Sequence, residues 1–433
     1  MQKSFRPHVL LIAEAANPEW VSVPLVGWSL ANAIREQSNA HFVTQVRNRA
    51  AILRAGLIEG KDFTAIDNES IAAPLHKLSN LVRGGVGKGW TTSTAISVFA
   101  YYSFESKVWR LFKDRLEDGE FDLVHRITPL TPTSPSIIAR RLAKIGVPFV
   151  LGPLNGGLPW PKGFIDRQHA EKEWLAHVRG AYRLLPGYGS TRRNAAAIIV
   201  GSQQTLHQMP AWCQDQCVYE PENGIDPLRF FARRRRHAKL PLRGIFIGRL
   251  VPYKGADILL HAARKALAQK QLELHIVGDG PEKAKLRSIV ERNDISGQVT
   301  FHGWVEHTEV QELLGSCDFM ALPSIREFGG GVVLEAMAVG LAPVVADYGG
   351  PGELVDDLVG IKVPFSDPDS LISNFANVIA SLVADPARLD QLGKAAKMRV
   401  QKTHTWRVKA ERIIGIYQRI LAAKAGQRRH TAS

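Results

Sequence analysis

The feature that most constrains this chain is an alternation. Short apolar runs rich in branched residues are separated by stretches with helical periodicity. In the first half the runs are 8–14, 41–46, 122–127, 148–154, 196–201 and 218–220. In the second half they are 244–250, 272–278, 299–303, 318–323, 343–346 and 360–363. A strand with one wet face alternates apolar and polar residues, whereas a parallel strand covered on both faces is apolar throughout. Runs of the second kind, many closed by Gly, Pro or Asn and followed by a helical pattern, predict βαβ units. A chain of 433 residues supports two or three domains, and the runs fall into two halves of similar architecture.

Between the halves lies 230–242, with Arg233, Arg234, Arg235 and Arg236 in succession. Four adjacent arginines suit a solvated linker, so the expected domains are 1–229 and 243–403. Apolar positions Trp406, Ile413, Ile414, Ile416, Tyr417, Ile420 and Leu421 predict an amphipathic helix over 404–425, with a tail at 426–433. Its expected use is packing against the protein, with a membrane surface as the alternative for its basic face.

Composition removes several classes. Hydrophobic residues are 45% and charged residues 22%, which excludes a disordered or fibrous chain. No apolar stretch approaches the ~18 residues of a membrane span. The run from Val9 to Ala13 is too short for a signal-peptide core and reads as a first buried strand. Three cysteines, two of them spaced C-x3-C, build neither a disulfide framework nor a zinc site, and free thiols suit a reducing cytoplasm. The net charge of +14 favours anionic partners: phosphates, nucleic acid or an anionic membrane face. No nucleic-acid-binding module is legible.

The chemistry concentrates in the second half. The strand at 244–250 runs into Gly248-Arg249-Leu250-Val251-Pro252-Tyr253-Lys254-Gly255. Ligands of open α/β sheets sit beyond the carboxyl ends of the strands. Arg249 and Lys254 are therefore expected in one crevice, where a guanidinium and an ammonium suit a diphosphate. The strand at 318–323 leads into Arg326-Glu327-Phe328-Gly329-Gly330-Gly331 and opens a helix carrying Glu335. Glycines there allow close approach of backbone N–H groups, and a helix N-terminus favours an anion. A carboxylate one to two turns in suits ribose hydroxyls.

These residues carry a resemblance. E-F-G-G-G-V-V-L-E-A-M-A-V-G from Glu327, Pro343-Val344-Val345-Ala346, Gly349-Gly350-Pro351-Gly352-Glu353, G-R-L-V-P-Y-K-G and Val277-Gly278-Asp279-Gly280-Pro281 look like glycosyltransferase family 4. The similarity is specific from about Gly244 to Val363 and looser over Asp122-Leu123-Val124-His125 and Glu222-Asn223-Gly224-Ile225-Asp226.

The resemblance implies a GT-B fold, an α/β architecture of two Rossmann-like domains whose parallel sheets face each other across a cleft. The first domain is then the acceptor side and the second binds the donor, with the terminal helix crossing back to the first. It implies a retaining transferase that takes a nucleotide-sugar as co-substrate, with no cofactor and no obligatory metal. Arg249 and Lys254 match the residues on the donor diphosphate, and Gly329, Gly330 and Gly331 match the loop that reaches sugar and phosphate. Glu335 matches the carboxylate on the ribose, and Glu327 the one beside the donor sugar. His125 resembles a first-domain histidine lining that sugar, and Trp304 and Val305 fall where the base is held. The implied acceptor is a glycan or lipid-linked sugar of surface polysaccharide synthesis. The expected location, from the free thiols and the basic surface, is the cytoplasm, peripherally at the inner membrane face.

One departure stands out. Many relatives carry a Gly-Gly loop after the first strand, where this chain has Glu14 to Trp20 and reaches its first glycine at Gly27. A second glycine loop, with Asn155, Gly156 and Gly157, follows the run at 148–154. Its expected roles are an acceptor loop or a rigid turn. Gly84 to Trp90 mimics a phosphate loop but fails the G-x4-G-K-[ST] spacing, and the basic insertion 50–94 is a candidate for acceptor contacts. The alternatives are a non-catalytic nucleotide-sugar-binding scaffold, a nicotinamide oxidoreductase lacking G-x-G-x-x-G, and a nucleic-acid-binding protein.

Overall fold

The computed structural model describes residues 6–71, 74, 90–161, 163–170, 181–232, 234, 237–306 and 309–431. It holds two parallel sheets and divides into two units by its contacts. Unit 1 comprises Met1–Gly157, Lys172–Glu222 and Trp406–Ser433, and unit 2 comprises Leu158–Glu171 and Asn223–Thr405.

The sheet of unit 1 is built from β1 (His8–Ala13), β2 (Asn39–Gln45), β3 (Phe63–Ile66), β4 (Leu123–Thr128), β5 (Phe149–Leu154), β6 (Ala197–Val200) and β7 (Cys217–Tyr219). Their order is β3-β2-β1-β4-β5-β6-β7. Unit 2 contains β8 (Leu242–Ile247), β9 (Leu272–Val277), β10 (Val299–Gly303), β11 (Phe319–Leu322), β12 (Ala342–Ala346) and β13 (Ile361–Val363), in the order β10-β9-β8-β11-β12-β13. Both sheets are doubly wound: the strand order reverses direction beside β1 and again beside β8. A crevice opens at such a reversal, because the connections on its two sides depart to opposite faces.

Helices cover both faces of the first sheet. One cluster joins β4 and β5 to Phe104, Val108 and Phe112 of the helix Trp90–Glu117. The other joins β1 to Leu30, Ala33 and Ile34 of the helix Val23–Gln37 and to Ile413, Ile416 and Tyr417 of the helix Trp406–Thr431. The three-and-four spacing puts one apolar stripe of each helix on the core. The apolar face of the terminal helix is thus spent on packing in unit 1.

The stretch 230–242 differs from the expected solvated linker. Phe230 and Ala232 join the core of unit 2. Arg234 is nearly buried, and its guanidinium meets Asp318 at 3.1 Å and Asp390 at 2.7 Å. Two carboxylates offset the cost of desolvating the cation. The units divide at Glu222/Asn223, before the basic run begins.

Candidate functional site in the strand-end loops of unit 2

The carboxyl ends of β8, β11 and β12 converge on one cluster. After β8 the chain makes a short turn through Lys254 to Gly255 and enters the helix Ala256–Ala268. Gly255 has φ +74°, and a Cβ there would stand 2.5 Å from the carbonyl oxygen of Pro323. Only glycine permits both the left-handed backbone and this approach. The loop after β8 therefore lies directly on the loop after β11, joined also by Ile325 N–H donating to Tyr253 O at 2.9 Å.

That packing brings Lys254 and Glu327 together as a half-buried ion pair. Burial pushes the Lys254 ammonium down, but the charge and hydrogen bond of Glu327 more than offset it, so its pKa is raised and it stays cationic. Arg249 is exposed, and its charge reaches Lys254 and acts in the opposite direction. These three residues share one electrostatic neighbourhood.

The Glu327 loop is held from the other side by the segment after β12, where the helix Gly349–Leu354 begins. Gly350 N–H donates to Glu327 O at 3.0 Å. Gly330, at φ +62°, turns the chain into the helix Gly331–Val339. Gly329 and Gly331 flank this turn and are half-buried. Val333, Leu334, Ala336 and Met337 are buried, which leaves Glu335 half-exposed one turn in. Trp304 stands exposed beyond β10, while Val305 packs partly against the core.

His125 belongs elsewhere. It is the third residue of β4, fully buried in unit 1. Its Nε2–H donates to Gly152 O at 2.6 Å, so Nδ1 accepts from the Tyr417 hydroxyl at 2.5 Å. Burial pushes its pKa down to about 4, against a partial lift from the Gly152 bond. A neutral imidazole with both nitrogens engaged has no face left for a sugar, which corrects the catalytic or donor-lining expectation.

The loop after β5 is tied down by hydrogen bonds. Asn155 donates to Glu222 at 2.5 Å and accepts from Ser202 at 3.0 Å, and Gly157 O accepts from Gln208 at 2.8 Å. Gly156 O accepts from Thr205 at 3.3 Å. In place of the Gly-Gly loop, the loop after β1 packs on the helix Val23–Gln37. A Cβ on Gly27 would press on the Ala15 carbonyl and come 2.9 Å from Thr128 Cγ2. Glu14 is half-buried at this strand end, and burial raises its pKa. Gly84 to Gly89 and much of 50–94 lie outside the described residues.

Sequence reasoning passed over several site neighbours. The Asn223 side chain lies 3.5–3.7 Å from where a Gly331 Cβ would stand. Arg326 sits over the Trp160 ring at 5.2 Å and the Phe328 ring at 5.7 Å. The Asn223 signal was available in the motif from Glu222 to Asp226; Trp160 closes the glycine loop after β5, but its partner Arg326 lies 166 positions later and no local pattern links them. Among the described residues no cluster of three or more His, Cys, Asp or Glu is placed to hold a metal ion. No described helix is long and apolar enough to cross a membrane.

Residues 233–399 match the family model of glycosyl transferases group 1. The chain is 30% identical over 286 residues to alpha-maltose-1-phosphate synthase of Mycobacterium tuberculosis, covering 61% of this chain and 70% of that protein. It is 33% identical over 179 residues to a GDP-mannose-dependent monoacylated alpha-(1-6)-phosphatidylinositol monomannoside mannosyltransferase of Corynebacterium glutamicum. That match covers 39% of this chain and spans 45% of the relative's length. The solved sucrose-phosphate synthase of Thermosynechococcus elongatus shares the fold, with a TM-score of 0.63, 20% identity and coverage of 96% of this chain and 100% of that one. The two doubly wound units thus form a GT-B fold. The chain belongs to the group 1 glycosyltransferases.

Proposed function

We propose that the chain is a glycosyltransferase that takes a nucleotide-sugar at the strand-end loops of unit 2. It passes the sugar, with retention, to a glycan or lipid-linked acceptor of surface polysaccharide synthesis. The observation that carries this reading is the gathering of Arg249, Lys254 and Glu327 beside the glycine turn that opens the helix Gly331–Val339.

Glycosyl transfer breaks the bond from the sugar's anomeric carbon to the diphosphate and forms one to the acceptor oxygen. Negative charge grows on the departing diphosphate and positive charge on the ring. Fixed cations and N–H dipoles aimed at the diphosphate stabilise that transition state. Lys254 is held cationic and Arg249 is exposed to solvent, so both are suited to the diphosphate. Glu327, paired with Lys254, is suited to the sugar. Glu335 serves the ribose, and Trp304 and Val305 the base. In our reading the acceptor attacks from the departing face, and its proton passes to the leaving phosphate oxygen. The cations and helix N-terminus take the role that a divalent ion has in other transferases. The excess of basic residues supports a cytoplasmic enzyme working peripherally at an anionic membrane face.

The test is thermal-shift titration with UDP, GDP, ADP and their sugars, beside the double variant Arg249→Ala/Lys254→Ala. A ligand at 100 times its Kd adds about 2.7 kcal/mol. Stabilisation by one nucleotide family, lost in the double variant, supports the site. A stabilisation that survives in the double variant refutes the assignment. The anomeric configuration of the product reads retention, turnover in chelator reads metal independence, and co-sedimentation with anionic vesicles reads membrane association.

A further inference from the structure

The segment 158–170 follows β5 of unit 1 along the chain but packs within unit 2. It touches the loops after β8, β11, β12 and β13. Arg167 donates to Pro252 O at 2.5 Å and forms a bidentate pair with Asp257, both bonds 3.0 Å, fastening it to the loop after β8. Trp160 lies under Arg326 in the loop after β11. Pro159 O accepts from the Tyr348 hydroxyl at 2.8 Å in the loop after β12, and a Cβ on Gly349 would come 2.8 Å from Leu158. Phe164, fully buried, meets the Phe365 ring edge-on at 5.5 Å in the loop after β13.

We infer that 158–170 is a positioning strap for Glu327, with Trp160 its working residue. Glu327 stands between two contacts. Arg326 lies over both the Trp160 and Phe328 rings, and the Glu327 carbonyl is held by Gly350, the residue after the one on which Leu158 packs. The carboxylate is thereby presented to Lys254 with little freedom left in its backbone. A group that acts on a transition state must be held in place before the reaction, and small displacements are costly in rate. Removing the Trp160 ring unstacks Arg326 and releases the loop one residue from the carboxylate. The diphosphate ligands Arg249 and Lys254 sit on the loop after β8, which Arg167 holds independently. Donor binding and the bond-making step are therefore separable at Trp160.

This inference rests on the donor-site reading above, and the experiment separates the two. Trp160→Ala, Trp160→Phe and Tyr348→Phe are compared with wild type for nucleotide Kd, for kcat and KM of donor hydrolysis on UDP-, GDP- and ADP-sugars, and for amide exchange across 324–335. Trp160→Ala is expected to bind nucleotide within threefold of wild type and to lose at least tenfold in kcat. Its amides at 327–331 should exchange at least tenfold faster. Trp160→Phe should recover most of the rate, and Tyr348→Phe, which deletes one hydrogen bond, should show the same pattern more weakly. Trp160→Ala with wild-type kcat overturns the strap, and so does faster exchange without loss of rate. Should Trp160→Ala fail to fold, wild-type kcat and exchange in Tyr348→Phe overturn it in the same way. If wild type binds none of the nucleotides, the donor-site reading falls and takes the strap with it. If wild type binds and turns over while the variants do not differ from it, only the strap falls.

Discussion

Acidification should loosen unit 1 through one residue. His125 is fully buried, and burial lowers its pKa from 6.5 to about 4. Between these values the unfolded chain binds a proton that the folded state refuses, so stability falls as pH drops through that window. Each pH unit within it is worth ~1.36 kcal/mol. Acidifying from pH 7 to 5 traverses about 1.5 units of the window and should remove roughly 2 kcal/mol, which is large against the 5–15 kcal/mol typical of a domain. Urea midpoints at pH 7 and 5 for wild type and His125→Gln isolate the term, because every other titrating group is common to both. The wild type should lose about 2 kcal/mol more than the variant. Equal losses would refute a neutral, buried His125. The same variant, once folded, should keep transfer activity within about threefold. Loss of turnover in folded His125→Gln would restore a catalytic role.

Other outcomes follow from packing. Arg234→Ala deletes a guanidinium that pairs with the buried Asp318 and should destabilise unit 2 by ~3–5 kcal/mol in chemical denaturation; an unchanged midpoint would contradict the pairing. Gly255→Ala places a Cβ on Pro323 O in a left-handed backbone and should cost at least ~1–2 kcal/mol; a neutral result would contradict the close approach of the two loops. Glu327→Gln removes the charge that lifts Lys254, so the lysine pKa should fall and nucleotide affinity should drop more steeply as pH rises than in wild type. Tyr417→Phe deletes the hydroxyl from a buried imidazole and should cost about 1–3 kcal/mol by thermal melting.

Much of this architecture was legible because buried parallel strands leave a continuous apolar trace. Among the described residues, twelve of the thirteen strands coincide with such runs. The exception, β3, is only Phe63 to Ile66, with its two central residues half-exposed and charged neighbours at both ends. So little buried surface leaves no run to see. In the site, Lys254 and Glu327 were legible from strand-then-glycine context, which fixes where a loop emerges. His125 misled because the motif around it was loose and its place inside the strand was ignored; ligand-facing residues come after the last strand position. The pairing of Arg234 was not legible because its two carboxylates, Asp318 and Asp390, lie far along the chain. The docking of Trp160 is likewise a tertiary event that no local period records.

The terminal helix bears on how the protein is made. Leu30 and Ile34 emerge early in synthesis, but Ile413 and Tyr417, which cover the same cluster, come roughly 380 residues later. At ~5–20 residues per second that interval is about 20 to 80 s. All of unit 2 is translated in the meantime. Unit 1 thus waits on the ribosome with an apolar face bare, although its sheet strands are already complete. Chaperone capture of the nascent chain is expected to peak in that interval and to end when the helix Trp406–Thr431 clears the exit tunnel.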